Sequence, residues 1–454
     1  MTFKKILVAN RGEIAVRVIR ALKEMGVKSV GVYSEADQAS RHLALADETV
    51  RIGPAMSAKS YLNIDNIISA AIKTGVDAVH PGYGYLAENE EFAKTCEQKN
   101  LVFIGPTPEN LKLAGDKITA KTVMKQAGVP VIPSSPAEVA SIDDAVSISE
   151  KLGYPVMVKS SGGGGGRGIR ICKDRDALIE DFPVAKMEAR AVCGNDKVYI
   201  EKYIEKPRHI EFQILADHYG NITHLGEREC TIQRRYQKLI EESPSPILTD
   251  SLRQEMGEVA ILAAKAANYF NAGTVEFLLD KENRCYFMEI NARIQVEHPV
   301  TEMVSGIDLI KSQICLSSMD KLTYSFDDLD MRGCAIECRI NAEDPDKKFM
   351  PSPGKIVTYV PPGGYGVRID THIYQGYELP IYYDSLIAKL ITHDMTRLGA
   401  ISIMKRSLEE MTIGPIKTTI PLYLKIFNDP MFLKGDFDTG YINRFIEEND
   451  EGDD

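Results

Sequence analysis

The 454-residue sequence predicts a multidomain protein of mixed α/β and α+β class, with an α/β domain first, an α+β domain in the middle and an antiparallel sheet towards the C-terminus. Three observations predict it. Residues 4 to 33 read strand, helix, strand, the opening of a parallel sheet. Five consecutive glycines within Ser160 to Gly168 stand between two short strand patterns, so the middle domain carries a glycine-tipped hairpin. Beyond residue 331, short alternating stretches separated by Pro- and Gly-rich turns read as antiparallel strands.

At about 150 residues per domain the length suits about three domains. The net charge of −11, from 54 basic and 65 acidic residues, argues against a nucleic-acid binder, which would show a basic domain. The chain opens on a hydrophobic strand without the pattern of a signal peptide, and it has no run of about 18 apolar residues. A cytoplasmic protein that does not enter membranes is the expectation. The eight cysteines are scattered, with Cys334 and Cys338 the only close pair, as in a reduced protein.

The first strand, K-K-I-L-V-A-N, leads into a helix from Gly12 to Met25 with Ile14, Val18, Leu22 and Met25 at helical spacing, then into K-S-V-G-V-Y-S. Further on, D-A-V-H precedes Gly82-Tyr-Gly84-Tyr-Leu-Ala87, which fits the letter of a dinucleotide fingerprint but lies away from the opening βα turn. NAD binding and a tight turn that lets the backbone approach a neighbour both account for it. A second domain begins at Gly115, where Asp116 is a candidate N-cap for a helix from Lys117 to Ala127, closed by Gly128. Lys117 then puts a cation on the positive end of the helix, a cost of about 0.3–1 kcal/mol. That placement suits a lysine and free N–H groups meeting a phosphate, and equally a surface lysine turned back to solvent.

A helix is expected from about Asp143 to Leu152 and a strand from Val156 to Lys159. The glycine run that follows lacks G-K-S or G-K-T, so it is not a P-loop. Ordering five glycines costs entropy; the usual return is backbone N–H groups close to an anion, as in a flap over nucleotide phosphates, with a flexible linker the alternative. Val198 to Glu205 reads as a strand entering a hinge, and His209, Glu211 and Gln213 alternate with Ile210, Phe212 and Ile214. Gln233 to Lys238 concentrates three cations, which either bind an anion or pair with Glu241 and Glu242. Helical spacing from Ile307 to Leu316 leads to a boundary near Asp330. Past it, Glu337, Arg339 and Asn341 share one face of a strand, more antiparallel strands follow, and helices are expected at about Arg397 to Met411 and Thr419 to Phe427. The acidic end of the chain is expected to be disordered.

The chemistry concentrates in Tyr286 to His298, Y-F-M-E-I-N-A-R-I-Q-V-E-H. Extended, it would put Ile290, Ala292, Ile294 and Val296 on one face and Glu289, Asn291, Arg293, Gln295 and Glu297 on the other. A straight strand would set Glu289 and Glu297 about 26 Å apart, so the chain must curl after Asn291 for these groups to act together. Gly273 to Asp280 and a K-E-N-R turn make the upstream half of a hairpin. A loop centred on Glu282 and Asn283 puts Glu276 opposite Glu289, two carboxylates about 5 Å apart that repel unless a cation lies between them. With Asn291 they form an all-oxygen set of the kind Mg²⁺ takes; a solvated hairpin face is the plainer account.

Together, N-R-G-E-I-A at 10 to 15, H-P-G-Y-G-Y-L-A-E-N at 80 to 89, the glycine flap, E-K-Y-I-E, R-R-Y-Q-K, M-E-I-N-A-R-I-Q-V-E-H-P-V-T-E and E-C-R-I-N-A-E-D-P resemble biotin carboxylase, the ATP-grasp subunit or domain of biotin-dependent carboxylases. The resemblance covers about residues 3 to 447. It implies a Rossmann-like pre-ATP-grasp domain at 1–114, an ATP-grasp domain at 115–330 with a lid at about 132–203, a C-terminal domain at 331–447 and an acidic tail at 448–454.

The resemblance also implies roles. Lys117, Lys159, Gly165 and Gly166 hold ATP, with the adenine in the hinge of Glu201, Lys202, Tyr203 and Ile204, His209 near the ribose, and Gln233 and Tyr236 as further nucleotide contacts. Tyr236 stands where members commonly have histidine, which changes that contact from imidazole to phenol. Glu276, Glu289 and Asn291 carry Mg²⁺ or Mn²⁺. Lys238, Arg293, Gln295 and the Val296 backbone bind bicarbonate, Glu297 deprotonates it, and Arg339 steadies the enolate of biotin. The implied reaction is carboxylation of biotin on a carrier protein, the first half-reaction of acetyl-CoA carboxylase, or the same step within a pyruvate or other acyl-CoA carboxylase. With no M-K-M biotinylation motif, the carrier protein and carboxyltransferase subunits are expected as separate chains, and the family implies a homodimer. The rivals are an ATP-grasp ligase joining a carboxylate to an amine, and a nucleotide-sensing pseudoenzyme.

Overall fold

The computed structural model describes residues 3–160 and 169–450. The glycine run, with Gly165 and Gly166, lies outside the described residues. The N-terminal sheet is parallel throughout, built from β1 (Lys5–Val8), β2 (Lys28–Ser34), β3 (Glu48–Gly53), β4 (Ala78–His80) and β5 (Val102–Phe103) in the order β3-β2-β1-β4-β5. The helix Gly12–Glu24 lays Ile14, Val18 and Leu22 on Ile6 and Val8, as its spacing predicts. Leu7, Val30 and Val79 face the other way, onto Ile67, Ala71 and Phe92. Fully burying each such side chain contributes about 1.5–3 kcal/mol, so alternation along one short strand suffices to hold both layers.

The Asp116 side chain caps the helix Lys117–Gln126 through the Thr119 N–H. A small three-stranded unit follows, β6 (Val156–Ser160), β7 (Ile169–Cys172) and β8 (Val198–Lys202) in the order β7-β6-β8, with its own core of Val146, Val158, Leu178, Phe182 and Ile200 under the helices Ile142–Leu152 and Arg175–Cys193. β6 and β7 run antiparallel with Lys159 opposite Ile169, so the strands on either side of the glycine run form a hairpin.

The scaffold of the site is one eight-stranded antiparallel sheet. It contains β9 (Arg208–Ala216), β10 (Ile222–Arg234), β11 (Gln237–Ser243), β12 (Asn271–Leu279), β13 (Cys285–Asn291) and β14 (Cys334–Asn341), in the order β13-β12-β9-β10-β11-β14, and then continues into Leu386–Asp394 and Val367–Thr371. The antiparallel sheet expected beyond residue 331 is therefore an extension of the middle segment's sheet, because β11 and β14 hydrogen-bond across the expected boundary, Ile240 opposite Cys338. The helices Arg397–Glu410 and Ile420–Ile426 cover that extension. The tail departs from expectation at its start. The helix Tyr441–Asp450 carries Tyr441, Ile442 and Phe445 into the core and extends into the acidic stretch, and residues 451–454 lie outside the described residues. Among the described residues, no helix is long and apolar enough to cross a membrane.

Glu276 does lie opposite Glu289, by a route the sequence does not reveal. The pairs Leu279–Cys285 through Phe277–Phe287 centre the loop on Glu282 alone, which would put Met288 opposite Glu276. A bulge at Met288 shifts the register by one and brings Glu289 across. After Asn291 the strand ends, the chain curls through Val296 and Glu297, and the helix His298–Ser305 begins with Pro299 in its first turn.

Candidate active site

β9, β12 and β10 place Glu211 beside both Glu276 and Arg228 in register. The curl after β13 brings Glu297 over the same face. The three carboxylates, all at most 3% exposed, converge on one ammonium: Lys238 Nζ donates to Glu211 at 2.5 Å, Glu297 at 2.7 Å and Glu276 at 2.9 Å. Arg228, fully buried, donates to Glu211 at 2.5 Å, to Gln213 at 2.8 Å and to Thr301 and Thr274. His209 Nε2 lies 3.0 Å from Glu276. Burial by itself would raise all three carboxyls; Lys238 outweighs it, helped by Arg228 at Glu211, His209 at Glu276 and Arg339 at Glu297, and all three stand below their ordinary range. The cluster is charged and poised for an anion that would compete for Lys238.

Arg339, on β14, bridges two acids: its Nε donates to Glu241 at 2.6 Å and an Nη to Glu297 at 2.9 Å. Arg293 donates to Glu88 at 2.9 Å, Gln295 at 2.7 Å and Asn291 at 3.2 Å, while Gln295 donates to Glu276 at 2.9 Å. The Val296 carbonyl accepts from Lys389, a fully buried lysine, at 2.8 Å. Arg293, Gln295, Glu276, Lys238, Glu297 and Arg339 are thus joined by a continuous chain of hydrogen bonds.

A second group of cations gathers around Glu289 and Glu201. Lys117 pairs with Glu289 at 2.9 Å, and Lys159 and Lys121 both contact the buried carboxylate of Glu201. Burial and the nearby Lys117 pull Lys159 down to about 8; burial, Lys159 and Lys117 pull Lys121 down to about 6. Crowded lysines of this kind gain from a polyanion between them. Lys202 and Tyr203 tie the hinge to the small unit: their N–H groups donate to Pro133 and Pro155, and the Lys202 ammonium donates to the carbonyls of Gly153 and Tyr154. Gln233 is buried at the end of β10. Tyr236 sits in the β10–β11 turn at φ 64° and is 51% exposed, a conformation that favours a small or polar residue over an aromatic one.

Glu276 and Glu289 as cross-strand neighbours, with Asn291 two residues along the same strand, make an all-oxygen donor set in which Glu276 now meets Lys238 and His209, Glu289 meets Lys117, and the Asn291 amide oxygen accepts from Arg293. These residues fit a hard divalent cation. Sequence reasoning missed several members of the site. Lys121 repeats Lys117 one helical turn on, and Lys389 is a lone cation inside the apolar run L-I-A-K-L-I; both were signals. Arg228 carried none, because only the register places it; the sequence offers Glu241 as a partner for the cations of Gln233 to Lys238, and the register gives it Arg339 instead, while Lys238 turns to Glu211, Glu276 and Glu297.

The biotin carboxylase N-terminal domain model matches residues 2–111, the carbamoyl-phosphate synthase L chain ATP-binding domain 116–324, and the biotin carboxylase C-terminal domain 337–444. Biotin carboxylase 1 of Bacillus subtilis is 54% identical over 443 residues, covering 97% of this chain and 98% of that protein. A pyruvate carboxylase subunit of Methanothermobacter thermautotrophicus is 51% identical over 443 residues, 98% of this chain and 90% of that one. The crystal structure of the biotin carboxylase domain dimer of Hydrogenobacter thermophilus 2-oxoglutarate carboxylase, in complex with MgADP, ADP and bicarbonate, superposes with a TM-score of 0.94 at 49% identity, covering 98% of each chain. With three matching domain models and full-length relatives at this level of identity, the chain belongs to the biotin carboxylase family.

Proposed function

We propose that the chain carboxylates biotin on a carrier protein by way of carboxyphosphate, as the first half-reaction of an acetyl-CoA carboxylase. The observation that carries the reading is Glu297, fully buried and held between Lys238 and Arg339 at 2.7 and 2.9 Å. A carboxylate so held is ionised and ready to take a proton. Bicarbonate binding among Lys238, Arg293, Gln295 and the Val296 backbone draws Lys238 away from Glu297. Losing that partner raises the proton affinity of Glu297 at the moment it must accept the bicarbonate proton. The carbonate oxygen then attacks the γ-phosphorus of ATP, and the bond to the β-phosphate oxygen breaks, releasing ADP.

Lys117, Lys159 and the glycines Gly165 and Gly166 meet the phosphates, the hinge from Glu201 to Ile204 takes the adenine, His209 lies towards the ribose, and Gln233 and Tyr236 flank the nucleotide. Glu276, Glu289 and Asn291 would hold Mg²⁺ or Mn²⁺, which neutralises phosphate charge. Carboxyphosphate then breaks its C–O bond to the phosphorus-bound oxygen, giving CO₂ and inorganic phosphate; the phosphate takes the N1 proton of biotin, Arg339 steadies the negative oxygen of the ureido group that results, and N1 bonds to the CO₂ carbon.

The Glu297→Gln variant tests the base: carboxylation should be lost while ATP affinity stays within about twofold, and wild-type turnover would reject the assignment. Biotin should stimulate bicarbonate-dependent ADP release; strict dependence on an amine would favour a carboxylate–amine ligase instead. The likeness to a pyruvate carboxylase subunit supports a second acceptor. Reconstitution with co-purified carrier and carboxyltransferase separates the two: malonyl-CoA supports the first reading and oxaloacetate the second.

A further inference from the structure

Behind Arg339 lies a pair of acids that the reaction as described does not use. Glu241 on β11 and Glu337 on β14 stand directly opposite each other, and neither is exposed at all. Glu241 spends one oxygen on Arg339 Nε at 2.6 Å, and its other oxygen has no hydrogen-bond partner among the described residues. Neither oxygen of Glu337 has one. Glu211 and Glu276 share the Lys238 ammonium, whereas Glu241 and Glu337 share no such hydrogen-bonded cation, and burial with like-charge repulsion disfavours ionising both. The one without a hydrogen bond, Glu337, is the neutral member, and burial raises it well above the ordinary range. The negative charge of the pair therefore belongs to Glu241.

We propose that Glu241 is the positioning residue for Arg339: it anchors the guanidinium by Nε, so that the Nη edge is free to exchange Glu297 for the ureido oxygen of biotin. The inference rests on the role of Arg339 proposed above. The geometry gives it a reason. Arg339 reaches Glu297 through an Nη nitrogen and Glu241 through Nε, so it can release the base without losing its second anchor. Without Glu241, Arg339 would have Glu297 as its remaining charged partner and would be held back from the substrate.

The groups facing Glu241 are Arg339, Glu337 and Cys338 on β14, Lys238 on its own strand, Cys230 on β10, Glu297 from the curl, and Tyr423 from the helix Ile420–Ile426. Burial, only partly offset by Arg339, pushes Glu241 up to about 7, whereas Glu297 stays below the ordinary carboxylate range. Loss of the Glu241 charge as pH falls through 7 would weaken the hold on Arg339 while the base is still ionised.

The test compares two activities of the full-length protein, biotin carboxylation and bicarbonate-dependent ATPase without biotin, across pH 6 to 9. In Glu241→Gln the carboxylation kcat should fall about 100-fold, the ATPase should change less than about threefold, and the acid limb of the carboxylation profile near pH 7 should disappear. Glu241→Asp should restore part of the rate and the acid limb with it. Equal loss of both activities, or an acid limb that survives in Glu241→Gln, overturns the proposal. Because Glu337→Gln replaces a neutral acid with a neutral amide, it should leave the ratio of the two activities unchanged and so controls for repacking; a ratio shifted as far as in Glu241→Gln would also overturn it. Arg339→Ala separates this inference from its premise: if it spares carboxylation, the premise fails, and if it abolishes carboxylation while Glu241→Gln does not, only the positioning role fails.

Discussion

Replacing Lys238 with methionine keeps an unbranched side chain as far as Cε and removes the ammonium that Glu211, Glu276 and Glu297 share. Glu211 keeps Arg228 and Glu297 keeps Arg339, but the cluster loses one positive charge from a region that is at most 3% exposed at the acids. Removing one partner of a buried ion pair costs about 3–5 kcal/mol. At about 2.1 cal/mol/K of unfolding entropy per residue, the 454 residues give about 1 kcal/mol per degree, so the melting temperature should fall by about 3–5 °C at pH 8. The pH dependence has a definite sign. In the wild type the three acids are depressed, so their contribution is present above the ordinary carboxylate range and is lost as pH falls through the folded values. In the variant they rise, and the penalty is relieved as pH falls towards their new values. The gap in melting temperature, read by scanning calorimetry, should therefore narrow between pH 8 and pH 5. A gap below about 1 °C at pH 8, or one that does not change with pH, would refute the view that Lys238 compensates three ionised acids.

Asp37 accepts a bidentate pair from Arg11 at 2.7 and 2.8 Å, plus the hydroxyls of Tyr61 and Ser40. Burial opposes its charge, but Arg11 prevails and holds it at about 2. That shift is worth about 2 kcal/mol, present above about pH 4 and lost as pH falls through about 2. Asp37→Asn should melt lower than wild type at pH 7 by calorimetry, with the difference closing below pH 4; a constant difference would contradict the pairing. Tyr236→His, at an exposed turn, should change stability by less than about 0.5 kcal/mol. It should lower the KM for ATP, measured by coupled ADP release, if an imidazole contact to the nucleotide is gained.

Much of this site could be read because the sequence repeats a polar residue every second position where the chain is extended. Glu289 and Asn291 were legible on β13, His209, Glu211 and Gln213 on β9, and Glu337 and Arg339 on β14. The helix at Lys117 announced itself through its cap and closing glycine. The pairing of Glu276 with Glu289 was expected on a symmetrical loop and arises from a different loop plus a bulge, because the alternation of one strand says nothing about where its partner slips. What stayed hidden depends on long-range register. Nothing local in Arg228 shows that it lies under Glu211, and nothing local in Glu241 shows that it faces both Arg339 and Glu337. The position of the third segment was hidden for the same reason: its strands alternate as any antiparallel strand does, whether they start a new sheet or prolong an old one.

That prolongation limits how the chain can be divided. Three domain models fit the sequence end to end, yet the hydrogen-bond ladder runs unbroken from β13 at one margin to Val367–Thr371 at the other. Cutting the polypeptide near residue 330 would strip β14 from β11 and leave two bare strand margins with unpaired backbone N–H and C=O groups, the kind of edge on which chains pair and aggregate. It would also carry off Arg339 and Lys389, the two cations that the later strands contribute to the curl. Recombination between relatives at that seam should succeed only when both halves come from parents whose β11 and β14 are matched in register.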